Sequence, residues 1–240
     1  MPPRTIAWLT LLATLAFGLS PIFISPFSGY TADQLPIFDP DPAIQPAGYA
    51  FSIWGVIYTW LAVSAIFGVV SRSDNMNWST AQLCVLPALI IGAAWTWIAS
   101  NSAIWGTITI WMMLISALAG TFQAPWQDKW WLKAPYALFA GWLSAAAFVS
   151  LGVALPGYGI GFGATTWAII GILAAATLAS IMQIRMGQMP FYGVAVIWAF
   201  IGIIAGNSAG TTSIYLSACI GIGIVAASTV LAIKTAKTTA

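Results

Sequence analysis

The 240-residue chain has no histidine and no glutamate; its five acidic residues are all aspartate, set against seven lysines and arginines. Without histidine, the common metal, proton-relay and catalytic-triad chemistries are excluded. Charged residues make up 5% of the chain, against roughly 25% in an ordinary soluble domain. Too little polar surface is left to coat a water-soluble globule, which removes the soluble enzyme classes. A formal net charge of +2 cannot neutralise several phosphates, so nucleic acid is excluded as a partner. Only two cysteines occur, Cys84 and Cys219. Both fall inside apolar runs, where they read as small buried residues rather than as halves of a disulfide. No internal repeat is evident, which argues against an inverted-repeat transporter.

What is abundant is apolar sequence, 60% of all residues. Eight runs, at about 6–24, 49–70, 80–98, 103–122, 136–155, 164–182, 191–205 and 213–233, contain no Asp, Glu, Lys or Arg. A membrane span needs roughly 20 such residues, and a core helix is seldom apolar on every side for so long. The expected fold is therefore an all-α integral membrane bundle of eight helices, with the seventh the shortest. The first run, after Arg4, has some features of a signal peptide, but its length and lack of a small-x-small site favour a retained helix.

The charges provide an independent test. If Arg4 precedes the first helix on the cytoplasmic side, eight passes put Arg72, Lys129, Lys133, Arg185, Lys234 and Lys237 on that side as well. The alternate connections, 25–48, 99–102, 156–163 and 206–212, hold no basic residue, and the first carries Asp33, Asp39 and Asp41. This is the positive-inside pattern, and it implies that both termini are cytoplasmic; the expected location is a bacterial inner (plasma) membrane.

Three features bear on function. The 25–48 connection is the only long one and carries Pro26, Pro36, Pro40, Pro42 and Pro46; such density favours a stiff, extended chain, serving as a lid or as a spacer. Tryptophan occurs 14 times. Many of these residues sit near helix ends, as an aromatic belt requires, whereas Trp54, Trp60, Trp111, Trp142 and Trp198 lie deeper. Trp54 falls about 7 Å below the outer end of the second helix, and Trp142 about 9 Å into the fifth. A buried indole needs a partner for its N–H, and a shared cavity supplies one. Finally, Phe51, Trp54 and Tyr58 share one face of the second helix, directly after the proline-rich connection.

The stretch Gln45-Pro46-Ala47-Gly48-Tyr49-Ala50-Phe51-Ser52-Ile53-Trp54-Gly55-Val56-Ile57-Tyr58 resembles the second-helix signature of the TspO/MBR family, the tryptophan-rich sensory or translocator proteins. The segment from Ala134 to Ala146, with Pro135, Tyr136 and Trp142, is similar to that family's fifth helix, and Gln82-Leu83 loosely to the start of its third. The resemblance covers about residues 5–155. It implies a five-helix unit at 1–155, lidded by 25–48; the three helices that follow, an extension at 156–240, depart from the family pattern. It also implies a receptor or carrier whose pocket takes a porphyrin, another tetrapyrrole or a sterol. Trp54 and Trp142 match the family's pocket tryptophans, while Phe51, Tyr58, Pro46, Pro135 and Tyr136 match other signature positions. The Asn-x-x-Trp expected after Gln82-Leu83 is missing, unless Asn101 and Trp105 replace it.

No cofactor is required, and without histidine a bound haem lacks its usual axial ligand, so a metal-free porphyrin is the better candidate. The expected partners are membrane lipid and a small apolar ligand, with a homodimer or larger membrane complex as a further possibility: Gly202, Gly206 and Gly210 follow small-xxx-small spacing, which serves packing either within the chain or against another. The alternatives are a small-molecule transporter of another class, although none of the spans carries the ionisable residue such coupling uses, and an assembly partner. No acid, base or activated nucleophile for catalysis is visible, so tetrapyrrole photodegradation rests on the resemblance alone.

Overall fold

A computed structural model describes residues 1–24, 27, 29–207 and 211–238. The described residues form eight α-helices: α1 (Pro3–Phe23), α2 (Ile53–Ser71), α3 (Met76–Asn101), α4 (Ala103–Gln123), α5 (Ala134–Gly157), α6 (Ala164–Met186), α7 (Phe191–Gly206) and α8 (Thr212–Thr238). A 3-10 turn, Gly48–Ser52, leads into α2, and a π-turn, Lys129–Lys133, leads into α5. Seven of the helices are long and apolar enough to cross a membrane; α7, with 16 residues, is shorter. The chain is a multi-pass helical membrane protein.

Helix ends follow local chemistry. The Asn75 side chain accepts from the amides of Asn77 and Trp78 to start α3, and Ser102 accepts from Trp105 to start α4. Proline opens α1 and α5, where a missing N–H costs nothing. Ser102 alone separates α3 from α4, so the two form a tight hairpin. Gly106 faces Ala99 and Gly120 faces Val85, at separations that leave little room for a side chain. Pro87 interrupts α3, and the Ser116 hydroxyl of α4 spans the break, donating to the Cys84 carbonyl at 2.6 Å and accepting from the Ala88 amide at 3.1 Å.

Helices α1, α2, α5, α4 and α3 close a five-membered ring, each touching the next. α6 and α7 pack on the far side of α5, and α8 covers both. α5 belongs to both groups and is the most enclosed helix. Its contact with α7 is set by Gly141, where a Cβ would collide with the carbonyl oxygen of Tyr192; small residues allow such close approach where lipid supplies no hydrophobic drive. The Tyr192 and Ser144 hydroxyls bond each other at 2.6 Å across the same contact.

The two ends of the bundle differ in charge. At one end Arg72 grips Asp128 with two hydrogen bonds, Nε at 2.8 Å and Nη2 at 3.0 Å, and the Trp78 indole donates to the same carboxylate at 2.7 Å. The Arg72 guanidinium, and then the Trp78 N–H, hold the Asp128 carboxyl below its ordinary range against the opposing effect of burial. Arg4 pairs with Asp74 at this end, and Lys133 donates to the Thr121 and Ala124 carbonyls at the end of α4, each at 2.8 Å. At the other end Gln34, Ile37 and Ala43 bond to Ala99, Gly157 and Asn207, at the C-terminal ends of α3, α5 and α7. The successive helices therefore alternate in direction, which gathers the basic residues at one end and Asp33, Asp39 and Asp41 at the other.

Candidate functional site

The 3-10 turn supplies Phe51, and α2, which continues it, presents Trp54 and Tyr58. Trp54 stacks on Tyr58 with centroids 5.2 Å apart and planes 17° from parallel. From α5, Trp142 meets Trp54 edge-on at 6.1 Å and 82°, and Phe51 edge-on at 5.9 Å and 82°. Phe17 of α1 closes the group, 5.7 Å from Trp54 and 4.9 Å from Tyr58. Each such pair contributes about 0.5–1.5 kcal/mol beyond area burial. Phe17 fits only because position 92 of α3 is glycine: a Cβ there would lie 2.7 Å from the Phe17 ring.

These rings border two neighbouring hollows, the larger and smaller lobes of the site. One, of about 230 Å³, runs along Phe17, Trp54 and Tyr58 and across to Gly92 and Thr96. The other, of about 70 Å³, lies against Trp142, Ala146, Val149 and Ser150, with Tyr30, Gln45 and Pro46 opposite. Phe27, Phe51, Trp95 and Ile110 border both. The walls are apolar except for a few hydroxyls and Gln45. In the smaller lobe the Tyr30 hydroxyl lies 2.7 Å from that of Ser150 and 3.3 Å from that of Thr107, while Thr107 and Ser150 are 2.7 Å apart. Burial pushes the Tyr30 phenol above its ordinary value, so it remains neutral.

The segment between α1 and α2 forms one side of this cavity, and it descends the bundle instead of lying flat across its end. Leu35 packs against Gly157, Ile44 against Gly152 and Gly171, and Pro46 against Gly202, progressively deeper along α5, α6 and α7. Ile44 is 1% exposed and wedged between these three helices. Polar bonds hold the segment at both ends. Gln34 donates to Ala99 at 2.9 Å, Tyr158 to Gln34 at 3.0 Å, and the Ile37 amide to Gly157 at 2.9 Å. Lower down, the Ala47 amide donates to Gly202 at 2.9 Å, Asn207 to Ala43 at 2.6 Å, and the Trp198 indole to Ala50 at 2.8 Å. This tongue explains how Trp54 and Trp142 meet: α2 starts well inside the bundle, and the extended chain above it takes the place of its missing turns.

A family model described as TSPO-like protein matches residues 5–231. The chain belongs to the family of TSPO-like proteins. No curated protein and no solved structure matches it. The family match runs across residue 155 and through all eight helices, and the tongue of this TSPO-like protein is held by α6 and α7 as much as by the first five.

The expected site residues divide into two groups. Trp54 and Tyr58 border the larger lobe, Trp142 and Pro46 the smaller, and Phe51 both. Pro135 and Tyr136 are buried in the first turn of α5 and border neither lobe. Asn101 and Trp105 sit exposed around the α3–α4 turn, and the tryptophan that α3 supplies to the cavity is Trp95. Of the deep tryptophans, Trp60 and Trp198 donate to the Trp130 and Ala50 carbonyls, and the Trp111 indole N–H is buried with no acceptor among the described residues. The stripe of Gly202 and Gly206 receives the tongue: a Cβ at Gly202 would lie 2.6 Å from that of Ala50, and one at Gly206 3.0 Å from the Gln45 carbonyl. Gly210 lies outside the described residues. Sequence reasoning missed Phe17, Phe27, Tyr30, Ile110 and Ser150; only the aromatic character of the first three is a signal visible in the chain.

Proposed function

We propose that this TSPO-like membrane protein is a receptor or carrier for a flat, largely apolar ligand such as a metal-free tetrapyrrole, bound in the two-lobed cavity. The observation that carries this reading is the edge-to-face meeting of Trp54 and Trp142 beside a cavity also bordered by Phe17, Phe51, Tyr58 and Trp95. Ring faces and edges recognise another ring system by stacking, with little need for polar contacts. The lobes, about 70 and 230 Å³, each fall below the ~300–1,000 Å³ range of ligand pockets. A macrocycle therefore enters by moving side chains among Phe27, Phe51, Trp95 and Ile110, which border both lobes. Tyr58, Phe51 and Pro46 line the bound ligand in this reading, while Pro135 and Tyr136 set the start of α5. The acidic tongue end faces outward and the basic end, with both termini, faces the cytoplasm of a bacterial inner membrane.

The test is quenching of intrinsic tryptophan fluorescence in lipid nanodiscs by protoporphyrin IX and by its dimethyl ester. Saturable quenching by at least one of them, weakened at least tenfold in Trp54→Ala and in Trp142→Ala, is the expected result. No saturable quenching by either overturns the reading.

A further inference from the structure

The smaller lobe gathers hydroxyl groups that bond one another instead of their own helices. Elsewhere in the helices, Thr10, Thr14, Thr59, Thr80, Thr121, Ser144, Thr177 and Thr229 each spend their hydroxyl hydrogen on the carbonyl four residues back, the usual way to hide a polar atom in a helix. Thr107 and Ser150 do not. Their hydroxyls turn to each other and to Tyr30, in a ring drawn from α4, α5 and the tongue, whose Tyr30 and Ser150 members line the smaller lobe together with Gln45 and mostly apolar side chains. Three hydroxyls in a closed ring spend their three hydrogens on one another and keep one spare lone pair each. The 3.3 Å contact between Tyr30 and Thr107 is the weak link; opening it frees one O–H donor. The ring thus offers a guest at most one strong donor and several acceptors. The Trp54 and Trp142 indoles add two N–H groups that, among the described residues, no protein acceptor takes.

Among the described residues, no lysine or arginine lines either lobe. On α5 the nearest basic residue to Ser150 is Lys133, about 25 Å away along the helix, and its ammonium is committed to two carbonyls. On α2 the nearest to Tyr58 is Arg72, about 21 Å away, and it is paired with Asp128. The connections at the tongue end contain no lysine or arginine, and the tongue itself carries Asp33, Asp39 and Asp41. A buried carboxylate without a cation to pair with is strongly disfavoured, and an anion arriving from that end meets like charge.

Building on the receptor reading, we infer that the ligand of this cavity is uncharged, with a single neutral polar group (a carbonyl, ester or hydroxyl) seated on the Tyr30–Thr107–Ser150 ring, and that carboxylated tetrapyrroles are selected against. The ring acts as a specificity determinant for the polar end, while the indoles hold the flat body.

The experiment compares three porphyrins of similar shape: etioporphyrin, with alkyl groups only; protoporphyrin IX dimethyl ester; and free protoporphyrin IX. Each is titrated at pH 7.4 into the full chain in zwitterionic nanodiscs, with partition into empty discs subtracted. The ester binds tightest and the diacid at least tenfold more weakly than the ester. Tyr30→Phe and Ser150→Ala weaken the ester about 3- to 10-fold, the size of one net hydrogen bond, and leave etioporphyrin unchanged. Lowering the pH to 5 narrows the gap between diacid and ester as the propionates take up protons. Binding of the diacid as tight as that of the ester, or equal losses for all three porphyrins in both variants, overturns the inference. Absence of quenching by all three instead overturns the receptor reading on which it rests.

Discussion

Gly202→Ala separates the stability of α7 from the seating of the tongue. The alanine favours the helix by about 1 kcal/mol, since glycine loses more freedom on folding. The new methyl, however, would lie 2.6 Å from the Ala50 Cβ and 3.0 Å from the Pro46 Cβ, where ordinary carbon contacts are about 3.5–4.0 Å. Neither neighbour is the far end of a flexible chain, so the tongue has to move away by about 1 Å. Overpacking of this kind costs about 1–3 kcal/mol, a shift of roughly 5- to 150-fold between seated and unseated tongue. The Ala47 amide, which donates to Gly202, loses its acceptor first. Hydrogen exchange resolved to the 29–50 region is the assay: Ala47 and Gln45 lose protection by that factor while α7 amides keep or gain theirs, and porphyrin affinity falls because Pro46 and Phe51 border the cavity. Gly223→Ala, which meets nothing within 4 Å, serves as the control and leaves both readings unchanged. Unaltered exchange at Ala47 in Gly202→Ala, with unaltered affinity, would refute the claim that α7 seats the tongue.

Other outcomes follow from the same contacts. Ile44→Ala empties the space between Gly152 and Gly171, and losses of about 2–5 kcal/mol are typical of such truncations; faster proteolysis of the tongue, with the helix content of the bundle retained in circular dichroism, is expected. At the basic end, Arg72 and Trp78 lower the Asp128 pKa, so the stability this carboxylate adds is complete above its unfolded value of about 3.9 and is lost as pH falls through the lowered folded value. Thermal melts of the wild type therefore drop below about pH 4, and Asp128→Asn flattens that drop while lowering the melting point at neutral pH. Gly92→Leu fills the room taken by Phe17 and abolishes saturable porphyrin quenching; unchanged quenching would show that the larger lobe is not used.

The eight helices were legible because lipid demands long apolar runs, and the spans read at 103–122 and 164–182 lie within α4 and α6 as found. The alternating direction was legible from charge, since Arg4, Arg72, Lys129 and Lys133 had to share an end. The meeting of Trp54 with Trp142 was legible only by resemblance: spacing places an aromatic stripe on a helix face but cannot say which other helix it addresses. The tongue's path was not legible. Gly202 and Gly206 signal close approach, but a helix and an extended strand make the same demand of a glycine, and Ile44 looks like any loop apolar residue. Tyr30, Thr107 and Ser150 were hidden for a related reason, because an isolated hydroxyl in an apolar run normally bonds its own helix.

The central claim is that Trp54 and Trp142 face one ligand. Fluorine NMR of the protein labelled with 5-fluorotryptophan, its 14 tryptophans assigned by single replacements with phenylalanine, tests it most directly. On titration with protoporphyrin IX dimethyl ester, the Trp54, Trp142 and Trp95 resonances shift together along one saturating curve, while exposed Trp97, Trp105 and Trp130 stay where they are. Shifts confined to the exposed set, with Trp54 and Trp142 unmoved, would contradict it.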